Sequence, residues 1–379
     1  MPDHAIEQKI LACVSKADLE AYDMERVGTL LASAPDLDLL VRKAAREGLS
    51  SMLYGALERS GTLGLLGRDH RQALESGYYQ TLSFNIALLH DLKEILEGLN
   101  KRGVSVVLLQ GIGLIQWVYK DIGLRPMTDI DLWVLPWRYP SLKRILSSHG
   151  YQPDSLYPNT YRRGMTAFDI HTHILWADRI RSRKLLLDVD DGEIYRKTVH
   201  VKVEGQDALC LSPWDEVIYL GLHAIKHNMD RLIWLADIRN IIEPWSPSDW
   251  HGAMSRAKQL GQTRTLHYVL FLLKDIFDVR APRGVVQDLG KSPLHPVEKK
   301  ILRHRTRGEP IPRWSSLLLL SAGKGLRVRL LLLLENLFPR PDILKQVFPW
   351  KKNQGLWRLY LRRALQIARW GKNALLHIF

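Results

Sequence analysis

Apolar residues recur at three- and four-residue spacing through DLDLLVRKAAREGLSSMLYGALERS and YYQTLSFNIALLHDLKEILEGL, with GTLGLLG (61–67) between the two runs. That period gathers apolar side chains on one helical face, so residues 5–98 are expected to be helical throughout. The pattern changes at Lys101. VSVVLL (104–109) is a short β-branched run bounded by Gly103 and Gly111 and reads as a buried strand. GIGLIQWVYKD (111–121) reads as a helix. A proline turn opens RPMTDIDLWVL (125–135), which continues as a strand with Asp129, Asp131 and Trp133 on one face and Ile130, Leu132 and Val134 on the other. WRYPSLKRILSSHG (137–150) is a helix closed by a glycine. MTAFDIHTHIL (165–175) is another alternating strand, with Asp169, His171 and His173 sharing a face, and YRKTVHVKVEG (195–205) is one more strand and a turn. From Ser212 the chain is helical again. Pro213 stands at the first helical position, Asp215 and Glu216 lie in the first turn, and further helices follow at 231–242 and 262–277. The order is α+β, with the strands in one block between helical regions.

Composition narrows the class. Of 379 residues, 46% are hydrophobic and 25% charged, which excludes a disordered chain, a collagen-like fibre and a polytopic membrane protein. The two cysteines, Cys13 and Cys210, build neither a disulfide framework nor a cysteine-rich zinc site. The N-terminal residues carry charges where an export signal needs an apolar run, so the expected compartment is the cytoplasm.

The net charge of +14 is unevenly spread. Residues 301–379 hold 16 Lys and Arg against 3 Asp and Glu, so a basic appendage follows a nearly neutral body. Such asymmetry points to an acidic partner. The leucine runs SLLLLSAG (316–323) and RLLLLLENLF (329–338) are too short to span a bilayer, and Lys324, Arg327 and Arg329 lie between them. They are expected to be buried helix core. The final segment, 355–379, is a basic amphipathic helix. Its stripe of Trp357, Tyr360, Leu361, Ala364, Leu365 and Ala368 either packs on the body or lies in a membrane interface, with Arg358, Arg362, Arg363, Arg369 and Lys372 mostly between. Where 313–379 does not pack on the body, the partner expected is an anionic membrane surface, peripheral to the inner membrane. Nucleic acid ranks lower, because the aromatic and basic residues do not interleave as in RNA modules.

The candidate chemistry lies in Asp129-Ile130-Asp131. Residues two apart on a strand point to the same side, so these carboxylates converge. Two like charges that close need a cation between them. Magnesium takes oxygen ligands and leaves positions open for substrate phosphates. Asp169, on a neighbouring strand, would complete a three-carboxylate cluster able to hold two metals. Upstream, the strand runs into Gln110-Gly111-Ile112-Gly113, a junction that lets backbone N–H groups approach a phosphate.

Leu108-Leu109-Gln110-Gly111, then Arg125-Pro126-Met127-Thr128-Asp129-Ile130-Asp131-Leu132, then Asp169-Ile170-His171, resemble in this order the bacterial uncharacterised nucleotidyltransferase group of the DNA polymerase β-like superfamily. The segment around His223, Lys226, His227, Arg231, Leu232, Trp234 and Asp237 and the string Phe338-Pro339-Arg340-Pro341 extend the likeness over about 80–365. The resemblance implies a small mixed β-sheet nucleotidyltransferase core flanked by N-terminal and C-terminal helical regions. The corresponding divisions are 1–98, N-terminal helices; 99–208, catalytic core; 209–310, helical substrate-binding region; and 311–379, basic amphipathic helices. It implies transfer of a nucleoside monophosphate from an NTP such as ATP, with Mg2+ (or Mn2+). Asp129, Asp131 and Asp169 would be the metal-binding and catalytic residues. Gly111, Gly113, Arg125, Thr128 and Lys226 would contact the nucleotide, and His171, His223 and His227 would support the site. The acceptor stays open: a small molecule, a saccharide, a peptide, a protein or RNA.

Two readings compete with parts of this. His223 and His227 are four apart on a helix, a zinc spacing that would need Asp237 to fold back as third ligand. Gln110 stands where the family usually has lysine and supplies no charge. That substitution motivates the alternative of a catalytically weakened member serving as a membrane-surface binding or scaffold protein.

Overall fold

The computed structural model describes residues 5–312, 315–348 and 355–378, with the backbone alone at Leu317 and from residue 370 on. Lys372 and Phe379 of the terminal helix therefore lie outside the described side chains, as do residues 1–4. The N-terminal region is helical as its periodicity predicts: Ile6–Val14, Ala21–Ala32, Leu37–Glu47, Ser50–Arg59 and a 33-residue helix, Arg68–Asn100. Local chemistry sets the boundaries. The Asp36 carboxylate accepts from the Leu39 N–H at the start of Leu37–Glu47, and Gly48 ends that helix at φ 74°.

The centre is a seven-stranded mixed sheet. Its strands are β1 (Val107–Leu109), β2 (Ile130–Trp133), β3 (Gln152–Pro153), β4 (Thr160–Arg163), β5 (Thr166–His171), β6 (Val199–Val203) and β7 (Gln206–Cys210), in the order β3-β4-β5-β2-β1-β7-β6. All three residues of β1 are fully buried, as a continuous apolar run in mid-sheet requires. β1 pairs antiparallel with β2 and parallel with β7, and β2 pairs parallel with β5. The register of that last pair sets Asp131 opposite Asp169. The architecture is thus α+β, a mixed sheet between helical regions.

Several expected elements are shorter. The strand that follows the expected proline turn is only Ile130–Trp133, because the turn runs on through Asp129 and holds Arg125 inward. The helix expected at 111–121 is one turn, Gln110–Leu114, because the chain then bends to carry Tyr119 to a buried carboxylate, Asp237. β5 ends at His171, and His173 turns away to the Asp191 carboxylate. The segment read as a strand from 195 begins with the end of a short helix, Asp191–Arg196. β3, β4 and β7 were not legible. β3 and β4 are short and polar, and β7 appears only because Glu204 and Gly205, both with positive φ, turn the chain back on β6.

Helices Pro213–Lys226, Leu232–Ile242, Pro247–Gln259, Thr263–Phe277, Arg283–Gly290 and Pro296–Thr306 complete the body. The first is capped as expected, with the Ser212 hydroxyl accepting from the Asp215 N–H. One apolar cluster runs from Ile10 to Leu332, tying the helical regions to both faces of the sheet.

The appendage comprises Ser315–Ser321, Leu326–Leu337, Pro341–Val347 and Leu356–Ile378. Its leucines correct the expectation of a buried core. Leu319, Leu320 and Leu332 are buried, but Leu326, Leu330, Leu331, Leu333, Leu334 and Phe338 are exposed. The last helix likewise turns Leu359 inward and leaves Trp357, Leu361 and Leu365 more than half exposed. No described helix is long and apolar enough to cross a membrane.

Candidate active site

The β2–β5 register brings Asp131 and Asp169 together at one end of the sheet, and the turn before β2 adds Asp129. All three line a cleft of about 300 Å³. His171, two residues beyond Asp169, lies beneath them. Its Nε2 is 2.8 Å from an Asp131 oxygen and 3.7 Å from an Asp169 oxygen. A carboxylate only accepts, so the imidazole donates to Asp131 and fixes its direction. Burial alone would lower the His171 pKa, but the bond to Asp131 and the charges of Asp169 and Asp131 raise it.

Asp129 shows what this crowding costs. Burial, then the neighbouring Asp131 and Asp169, push its carboxyl up to about 7. Its only side-chain donor among the described residues is the Thr128 hydroxyl, at 3.0 Å. Hard oxygen donors converging under strong mutual repulsion are the arrangement a divalent cation relieves. Ligand atoms of Asp131, Asp169 and His171 all lie within 4.8 Å of one another. Asp131 and Asp169 thus offer oxygens that could hold a divalent ion, with His171 beside them, whereas Asp129 is not part of that close group.

The glycine junction divides into two roles. A Cβ on Gly111 would meet the Met127 side chain at 2.9 Å, so Gly111 lets the turn before β2 close over it beside the cleft. Gly113 does not reach the cleft. A Cβ there would meet the Leu108 carbonyl oxygen at 3.0 Å, backbone of the central strand, so Gly113 is a packing position. Gly113→Ala is expected to destabilise the protein by about 1–3 kcal/mol, as overpacking does. Urea unfolding should show this with the affinity for NTP unaltered. Gln110 adopts φ 57° and its amide donates to the Tyr219 hydroxyl at 3.3 Å.

Arg125 lines the cleft, yet its Nε and Nη2 are held by Asp237 at 2.8 and 2.7 Å, and Tyr119 donates to the same carboxylate at 2.6 Å. Asp237 is fully buried. That pairing keeps Asp237 from joining His223 and His227 as the third zinc ligand. Those two rings instead lie 4.7 Å apart and pack, mostly tilted or edge-on, with Trp176, Tyr219 and Trp234 at centroid distances of 5.3–6.5 Å. Burial, with His227 and Lys226 alongside, holds His223 well below the usual histidine range.

Facing the carboxylates is a cationic wall. Lys226 extends from the end of helix Pro213–Lys226, its Nζ 3.6 Å over the Trp176 ring. Arg179 and Arg231 stand on the same cleft. Burial, with Arg183 nearby, pushes Lys226 down to about 7, although Asp131 and Asp169 oppose this. Backbone strain concentrates around the same space. Gln110 and Trp176 line the cleft with positive φ, and Asn228 and Met229, also left-handed, form the turn that brings Arg231 back toward it. Non-glycine residues in this region are costly and persist where the surroundings over-determine them, as at functional sites.

The structure thus brings Asp129, Asp131, Asp169, Gly111, Arg125, Thr128, Lys226, His223 and His227 to one cleft. His171 lies under it, and Gly113 and His173 fall outside. Sequence reading missed Trp176 and Arg179. They lie in an aperiodic loop after β5, and only the direction of that strand places them.

Three carboxylates and the cations Lys226, Arg179 and Arg231 on one cleft beside a mixed sheet make this a candidate anion-handling site. Residues 33–278, well over half of the chain, match the model of the uncharacterised nucleotidyltransferase family, and the chain belongs to that family. The match starts earlier and ends earlier than the motif likeness, so Phe338–Pro341 and the whole appendage lie beyond it. Comparison with curated proteins and with solved structures gave no match. Family membership supports nucleotidyl transfer as the general activity, with an NTP as substrate.

Proposed function

We propose that the protein transfers a nucleoside monophosphate from an NTP to an acceptor oxygen, with magnesium held by Asp129, Asp131 and Asp169. The observation that carries this reading is that Asp129, Asp131 and Asp169 line one cleft with Lys226, Arg179 and Arg231. The cationic wall would bind the triphosphate through charge-assisted hydrogen bonds. A bound divalent ion would neutralise charge on the reacting phosphate and make the acceptor oxygen more nucleophilic. Asp169, at the rim beside β4, would take the proton of an acceptor hydroxyl. The acceptor oxygen would bond to the α-phosphorus as the α–β bond breaks, and pyrophosphate would leave toward the cations. Positioning and charge neutralisation supply most of the rate in such transfers. Within this reading, 99–208 is the catalytic core and 209–310 the helical wall that closes it.

The test is incubation with α-labelled NTP, magnesium and fractionated cell extract. A product heavier by one nucleotide, absent with Asp169→Asn, is expected. Absence of label transfer from every NTP, with the protein folded, refutes the reading.

We further propose that the appendage rests on an anionic membrane surface, peripheral to the inner membrane in a cytoplasmic setting. The exposed Leu330, Leu331, Leu334, Phe338, Trp357 and Leu361, with exposed Arg327, Arg358 and Arg362, form an apolar surface edged with cations. Patches of this kind mark interaction sites. The protein is expected to float with anionic vesicles at low salt, and Leu331→Asp with Leu334→Asp to abolish this. Equal flotation by wild type and double variant removes the proposal.

A further inference from the structure

A second cavity, of about 180 Å³, opens between the body and the appendage. Arg179 and Lys226 line both it and the candidate active-site cleft, so the two spaces share a wall. Arg183 lines the second cavity alone. The appendage contributes the apolar Pro339, Ile343, Leu344 and Val347, together with Asn336 and Arg363.

The charge in this cavity is unbalanced. The Arg183 side chain has no hydrogen-bond or ion-pair partner among the described residues, and burial, with Arg179 nearby, pushes it down to about 10. Lys226 likewise has no ion pair there and rests on the Trp176 ring. Among the described residues Arg179 donates to the neutral amide of Gln346, at 3.0 Å, and lies over the Tyr157 ring. Among the described residues Glu335 is the one carboxylate lining the space, and its oxygens accept from the Arg181 and Ser182 N–H groups at 2.8 and 2.7 Å. Arg183 and Lys226 are half-buried and Arg179 is exposed, and cations gathered on one cavity whose carboxylate is already bonded to backbone N–H groups favour a ligand that supplies an anion.

The appendage is fastened where these cations sit. Arg340 donates to the Asp178 and Arg179 carbonyls at 2.6 and 3.2 Å, beside the Gln346 and Glu335 contacts. The cavity is therefore built jointly by the family-matched body and by helices outside that match.

We propose that this cavity binds the acceptor, an organic anion whose phosphate or carboxylate meets Arg183 and Arg179 and whose apolar body lies against Ile343, Leu344 and Val347. This rests on the nucleotidyltransferase reading for the word acceptor, not for the binding itself. The shared residues Arg179 and Lys226 would set the acceptor beside the triphosphate, an arrangement that converts a bimolecular reaction into a positioned one.

The test is calorimetry on the full chain with decyl phosphate, decanoate, decanol and inorganic phosphate as probes. Decyl phosphate or decanoate is expected to bind at least about tenfold tighter than decanol and inorganic phosphate, since charge and apolar contact act together. The stronger of the two identifies the head group. Arg183→Gln should weaken that binding about tenfold or more and leave magnesium–NTP binding unchanged; the exposed Val347→Asp is a second variant that should weaken it by placing a like charge in the cavity. The winning probe should bind together with magnesium–NTP. Equal affinity in wild type and both variants, or no binding of either amphiphile, overturns the proposal. Mutual exclusion with NTP overturns the acceptor assignment by making the cavity part of the donor site. Asp131→Asn separates the two readings. It should retain amphiphile binding even if the protein proves to transfer no nucleotide.

Discussion

Asp131→Asn is expected to lower nucleotidyl transfer at least about a hundredfold, the scale lost when a group aimed at developing charge is removed. Asp131 is the member of the cluster that is opposite Asp169 in the sheet, spaced two from Asp129 and hydrogen-bonded by His171. Asparagine preserves its shape and removes the charge that a divalent ion requires. The same change relieves repulsion, because the three carboxylates crowd one another and Asp129 is already driven toward its protonated form. The melting temperature in a chelating buffer should therefore be unchanged or higher, while any rise in melting temperature on adding magnesium should disappear. Activity and stability moving in opposite directions would mark a functional cluster. A full rate in the variant would show that the carboxylates serve something other than catalysis.

The second large effect is on folding. Asp237→Ala or Arg125→Ala should each cost about 3–5 kcal/mol, because either leaves its partner as an uncompensated buried charge. Arg125 is 7% and Asp237 0% exposed, and two guanidinium nitrogens meet the carboxylate. A combined Arg125→Met, Asp237→Leu variant should be less destabilised than either single change. Denaturant unfolding measures all three. Additive losses in the double variant would show that the pair is not the source of the cost. This bond joins the turn before β2 to helix Leu232–Ile242, so it sets the depth of the cleft between the aspartates and the cations. Most of the hydrogen-bonding capacity of Arg125 is spent on Asp237, which makes it a brace of the site even as it lines the cleft.

The sequence made the strand-borne aspartates legible for a simple reason. The period-two rule puts Asp169 with His171 on β5, whereas Asp129 reaches the cleft beside Asp131 from the turn before β2. Gly111 was legible as a close approach, whereas the role of Gly113 was not, since one side of the junction faces the cleft and the other faces Leu108, and residue type is the same for both. The leucine run at 330–334 misled because apolar composition announces burial without naming the partner. In the folded chain only Leu332 of that run finds one.

By itself the sequence determined what is local: helix and strand periods, capping at Ser212, the basic charge after residue 300, and the D-x-D pair. Tertiary structure decided what depends on partners distant along the chain. The parallel pairing of β2 with β5 set Asp131 against Asp169, the Arg125–Asp237 bond closed 112 residues into one contact, and the loop after β5 delivered Trp176 and Arg179 to Lys226. Periodicity reports which way a side chain leaves its own backbone. Which neighbour it then meets is fixed by the single packing that buries the apolar faces together.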